Sequence, residues 1–113
     1  MAETADLFMT AGDTKTIGIS VIEKDDGSAT AITGATIDWK VSRSPRQTAV
    51  ISKSTADDIS ITSGTGGTLT ISLSAADTSS LLGDFYHELQ ITFASGEVAT
   101  VLRGKMTIEP GLN

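Results

Sequence analysis

Alternation of apolar and polar residues with a period of two runs through most of this chain, and it limits the fold more than any other feature. A period of two sends alternate side chains to opposite faces of a strand, so one face can be buried while the other meets water. Across 14–23, Ile17, Ile19 and Val21 share one face while Thr16, Gly18 and Ser20 take the other. Across 35–42, Ile37, Trp39 and Val41 oppose Thr36, Asp38 and Lys40. Leu69, Ile71 and Leu73 repeat the rule in 68–73, and Phe85, His87, Leu89, Ile91 and Phe93 do so in 85–93. In the run 97–108 the pattern sets Val98, Thr100, Leu102, Gly104, Met106 and Ile108 against Ala99, Val101, Arg103, Lys105 and Thr107. Shorter runs at 6–10, 49–54 and 59–62 bring the expected count to seven or eight strands.

The connections agree with that reading. Asp25-Asp26-Gly27-Ser28 reads as a tight turn, 63–67 as a glycine-rich connector, and Ala94-Ser95-Gly96 as a hairpin closing the last two strands. One helical turn is expected at 74–82, capped by Ser74 with Asp77 three residues on, and ended by Gly83. The 17 Thr and 13 Ser suit half-buried pleated surfaces and short turns, which again favours strands. Strands of this spacing predict one all-β domain over 1–113, a two-sheet antiparallel sandwich with one short helical turn.

Charge and cysteine content narrow the function. Fourteen acidic against eight basic residues, a net charge of −6, argue against a surface that tracks nucleic-acid phosphates. The basic stretch Lys40, Arg43, Arg46 and Lys53 reads first as a solvated loop, with contact to an acidic partner as the alternative. With no cysteine there is no disulfide, thiol nucleophile or thiolate metal site. The first ten residues contain Glu3 and Asp6 and no apolar run, so no signal peptide is expected. No stretch is apolar for long enough to span a membrane as a helix, and synthesis in the cytoplasm is the expectation.

Each chemically suggestive group has a plainer structural role. His87 is the one histidine and lies on an apolar strand face, with no second histidine to share a metal, so a structural histidine is expected. Asp25, Asp26, Asp57 and Asp58 lack calcium-loop spacing and read as turn residues. Glu88 and Glu97 lack the aromatic platform of a sugar cleft, and 63–67 leads into a strand rather than into the helix a phosphate loop needs. Trp39 has core parity. No catalytic residue, cofactor or metal is therefore expected, and the chain reads as a non-enzyme. The face combining Tyr86, Gln90, Thr92, Val101, Arg103 and Lys105 is the candidate interface, being mildly apolar for a wet surface.

Two sets of motifs carry a resemblance. Ala75-Ala76-Asp77-Thr78, followed by Gly83-Asp84-Phe85-Tyr86-His87, is similar to the turn and strand start of immunoglobulin domains. Phe85 stands in the corner-tyrosine place and His87 in the cysteine place. A second set spans most of the chain: Ala11-Gly12-Asp13-Thr14, Ile32-Thr33-Gly34-Ala35-Thr36 with Trp39, Gly83 to Leu89, Ser95 to Val101, and Gly104 to Ile108. Together these resemble the small immunoglobulin-like domain of tailed-phage structural proteins, such as the N-terminal domain of baseplate upper proteins. The resemblance implies an immunoglobulin-like sandwich and a non-enzymatic virion or prophage assembly protein, located in the virion. Because the sequence stops at Asn113, it implies a stand-alone tail, baseplate, neck or head accessory component. Other virion subunits are its implied partners, with self-association into an oligomer, and with neither nucleic acid nor membrane. Docking would use the first or last strand as an edge, with Met1 to Asp6 as a swapped arm. The competing expectation is a secreted adhesive or carbohydrate-binding module of the same fold.

Overall fold

The computed structural model describes residues 3–22, 30–44, 46–55 and 57–111. The expected turn at Asp25 to Ser28 lies outside them. Nine strands follow one another as β1 (Glu3–Thr4), β2 (Leu7–Thr10), β3 (Lys15–Ser20), β4 (Thr36–Ser42), β5 (Ile51–Thr55), β6 (Asp58–Ser63), β7 (Thr68–Leu73), β8 (Gly83–Thr92) and β9 (Val98–Glu109). Among the described residues one helical turn, α1 (Ala75–Thr78), lies between β7 and β8. Eight strands correspond to the expected runs. The ninth, β1, has two residues, too few for periodicity to reveal.

The hydrogen-bonded order is β1-β9-β8-β4-β5-β6-β7-β3, with β2 also on β9. β5 and β6 meet only at Ser54↔Asp58 and Thr55↔Ile59, where the path narrows and folds over. One side holds β2, β9, β8, β4 and β5, the other β6, β7 and β3, and the result is an all-β sandwich. Most pairings are antiparallel as expected, but β1 and β2 run parallel to β9, and β5 runs parallel to β6. The last strand is therefore not an edge, and the N-terminal segment lies along β9 of its own chain.

The core follows the alternation. Ile37, Trp39 and Val41 of β4, Phe85, Leu89 and Ile91 of β8, and Leu69 and Ile71 of β7 are fully or nearly fully buried. Burying such side chains is the main favourable term in folding. Thr78 is also buried, and its Oγ1 accepts the Gly12 N–H at 3.1 Å, so α1 anchors the turn before β3. At the N-terminus of α1, the Ser74 N–H donates to Asp77 Oδ2 at 2.7 Å, as the sequence led one to expect.

The pairing register slips twice, once between Ile61 and Ser63 of β6 against β7 and once in β9 against β8. Leu89 pairs with Leu102 but Gln90 pairs with Thr100, so Val101 is an extra residue in β9. Such a bulge reverses the facing of everything beyond it. Val98, expected inside, is 58% exposed, while Val101, expected on the open face, packs against the core.

Candidate functional site

The outer face of β4, β8 and β9 carries an open pocket of about 650 Å³. Cross-strand register builds it: one row is Ser42↔Tyr86↔Lys105, the next Lys40↔Glu88↔Arg103. Directly opposite residues on one face of a sheet lie within side-chain reach. Arg46, from the loop between β4 and β5, and Thr4 and Asp6, from the N-terminal segment, complete the rim. Four cations (Lys40, Arg46, Arg103 and Lys105) thus face two carboxylates (Asp6 and Glu88). Among the described residues none of the four cations forms an ion pair, because the ion pairs present both belong to Lys53. Asp6 is partly engaged, its Oδ1 accepting the Lys105 backbone N–H at 3.2 Å.

Arg46 is held in an unusual backbone conformation, with φ of +72°. That left-handed region costs an ordinary residue about 1–2 kcal/mol. The Gln47 N–H bonds the Ser44 carbonyl at 3.2 Å and closes the turn that imposes it. Tyr86 also lines the pocket and is 41% exposed.

At the floor of the pocket, where His87 and Gly104 form part of the lining, lies a buried relay. Trp39 Nε1–H donates to His87 Nδ1 at 3.2 Å, and His87 Nε2 lies 2.6 Å from the Ala5 carbonyl oxygen. Since Nδ1 accepts, Nε2 carries the proton and the imidazole is neutral. Burial lowers the His87 pKa below its ordinary value, and the Ala5 carbonyl and the Asp6 charge offset this only in part. Gly104, opposite His87 on β9, makes the relay possible: a Cβ there would collide with the Ala5 carbonyl. His87 therefore ties β4 and β8 to the N-terminal segment that walls the pocket.

The predicted site residues divide. Tyr86, Arg103 and Lys105 come together in the pocket. Gln90 and Thr92 lie further along β8, half-buried, and do not line it, while Val101 faces the core as the bulge dictates. The basic stretch Lys40, Arg43, Arg46 and Lys53 is also split. Arg43 covers the Phe85 ring, 4.7 Å from its centroid, and only Lys40 and Arg46 reach the pocket. Lys53 is buried, with Nζ 2.7 Å from Asp58 and 2.9 Å from Asp77, and so fastens β5 to β6 and α1. Burial alone would lower its pKa, but the bonds to both carboxylates outweigh this and raise it. For Asp77 burial opposes the charge, yet Lys53 and the Ser74 N–H hold its pKa down.

Other candidates take structural places. Asp58 is committed to Lys53, and Asp57 exchanges backbone bonds with Ser54. Glu88 is mid-strand in β8, whereas Glu97 closes the far hairpin, where the Phe93 N–H bonds its carbonyl. The glycine-rich segment 63–67 is stitched to its neighbours, Gly64 and Gly67 carbonyls accepting from Ile32 and Val21. Among the described residues no group of three His, Asp or Glu is placed to hold a metal ion. Sequence reasoning missed Thr4, Asp6, Lys40 and Arg46 as pocket residues. Alternation placed Lys40 on the outer face, but no local signal announced that the N-terminal segment would line the same rim.

No family model matches this chain. No curated protein matches it either. Solved structures do, among them CopC from Methylosinus trichosporium OB3b, at 15% identity and a TM-score of 0.53, covering 96% of this chain and 88% of that one. A likeness at this identity shows a shared fold, and it agrees with the sandwich described above. It also corrects the expected function. The motifs pointed to a tailed-phage structural protein, but the solved structure named above is a CopC, and none of the comparisons supports a phage function. The phage-like motifs are turn glycines, a core tryptophan and strand starts, which have structural uses that do not depend on a phage role.

Proposed function

We propose that this protein is a non-catalytic binding domain that takes a carboxylate-rich segment of a partner polypeptide into the pocket around Tyr86. The observation that carries the reading is the gathering of Lys40, Arg46, Arg103 and Lys105, without an ion pair among the described residues, around one concave site in a chain of net charge −6. A volume of about 650 Å³ is in the range of ligand-binding clefts. Arg103 and Arg46 offer planar forks suited to bidentate carboxylate recognition, and the two lysines supply mobile point charges. Tyr86 adds an amphipathic contact of the kind that anchors interfaces. Glu88 and Asp6 would repel a ligand's own carboxylates from two positions and so set its register. The left-handed Arg46 backbone supports the same reading, since conformational cost of this sort concentrates where a side chain must be aimed.

Titration with an oligoglutamate peptide, followed residue by residue through backbone amide resonances, tests this. Shifts should gather at Lys40, Arg46, Tyr86, Arg103 and Lys105. The double change Arg103→Gln with Lys105→Gln should weaken binding by about tenfold, whereas Lys15→Gln on β3 should leave it unaltered. No perturbation, or perturbation centred on another face, would refute the proposal.

A further inference from the structure

β3 forms the far end of the hydrogen-bonded path, and among the described residues nothing pairs with its outer side. The contrast with the other end is plain, where β9 is flanked by β1 and β2. β3 pairs with β7 through all six residues, Lys15↔Leu73 to Ser20↔Thr68. Just beyond it the Val21 N–H donates to Gly67 on the β7 side. Backbone groups alternate sides along a strand, so those of Thr16, Gly18 and Ser20 point away from β7, to the open edge. Exposed edges are normally blunted by proline, bulges or charge. β3 has no proline, no bulge and one charged residue, Lys15.

The sequence of this edge is complementary to itself. An antiparallel copy centred on Gly18 sets Gly18 opposite Gly18, Ile17 opposite Ile19, Thr16 opposite Ser20 and Lys15 opposite Val21. Core-facing residues then meet core-facing residues, small polar ones meet small polar ones, and no like charges are opposed. This register also pairs all three outward-pointing residues of β3 with one another. We propose that β3 binds β3 of a second copy in this register, joining two sandwiches through one continuous sheet. A two-fold axis through Gly18 makes the contact closed and self-limiting, a dimer rather than a fibre.

Cysteine placement tests the register directly, because the chain has no cysteine of its own. An added Cβ at Gly18 meets nothing within 4 Å, so Gly18→Cys is sterically open. Across a hydrogen-bonded antiparallel pair the two Cα atoms are about 5.5 Å apart, within disulfide range. The Thr16→Cys pair would be roughly 14 Å apart, four residues out of register, and should not cross-link. Mild oxidation should therefore convert Gly18→Cys, but not Thr16→Cys, to a covalent dimer of twice 11.7 kDa. Equal cross-linking of both, or of neither, overturns the proposal.

Sedimentation equilibrium gives an independent readout. Thr16→Lys with Ser20→Lys opposes two pairs of like charges across the axis, while Thr16→Lys with Ser20→Glu opposes unlike ones. Within the chain these positions face only Ser72 and Thr68 on β7, so neither pair of changes creates an internal charge conflict. The first variant should weaken dimerisation by about tenfold or more, and the second should restore it. A wild-type chain monomeric at every concentration reached, or two variants that behave alike, overturns the proposal.

Discussion

At the scale of single residues, His87 is a buried polar group held from two sides. Its two ring nitrogens are both used, one accepting from Trp39 and the other donating to Ala5, and the residue is 2% exposed. Adding a proton would place a second donor against the Trp39 N–H. The folded pKa lies below the ordinary value near 6.5, so the unfolded chain binds a proton first as the solution is acidified. Stability should be at its full value above that pH and fall below it, down through the depressed folded pKa. Unfolding followed across this range should show the loss, and His87→Gln should flatten that part of the curve. His87→Ala, which strands both the Trp39 donor and the Ala5 acceptor, should cost about 2–4 kcal/mol in denaturant titrations. Alternation placed His87 inside the sandwich correctly. It could not show what the ring bonds to, because Trp39 and Ala5 are brought to it by pairing between distant parts of the chain.

Among the elements, the N-terminal segment and β9 depend on each other. Ala5 donates to the Arg103 carbonyl at 2.9 Å and comes so close to β9 that only glycine fits at position 104. Both sides of that contact are backbone, so a rotamer change cannot relieve it. Gly104→Ala should therefore destabilise the protein by about 1–3 kcal/mol, the usual range for overpacking. Hydrogen exchange should quicken first in β1 and β2, and exchange there unchanged from wild type would contradict this account. The strands with long apolar stripes (β4, β7 and β8) were legible from the sequence because one buried face repeated the same parity throughout. β9 was legible only as far as its bulge. An extra residue such as Val101 leaves no mark in composition, and it is pairing with β8 that decides where the ladder slips. β1 was hidden for another reason: two residues cannot display a period, and their partner lies about a hundred residues away.

For the whole molecule, the sandwich places its chemistry on one open face and its unprotected edge on another. Two strands and one loop contribute the pocket's cations, although no two of the four cations are neighbours in sequence. Only Arg103 and Lys105, two apart on one strand, could be grouped by reading the chain alone. The basic run from Lys40 to Lys53 suggested a different cluster, and burial of Lys53 and stacking of Arg43 dispersed it. The pocket and the β3 edge lie on different strands, so ligand binding and self-association should be separable by mutation. The most direct test of the binding role is a calorimetric titration of oligoglutamate into the wild-type protein at low and at high salt. Cations this exposed are screened over about 10 Å at ordinary ionic strength, and binding through them should weaken steeply as salt is raised. Saturable one-site binding that fades with salt, and that is lost with Lys40, Arg46, Arg103 and Lys105 all changed to glutamine, is the expected result. No heat of binding at low salt, or binding indifferent to salt and to those four changes, would contradict it.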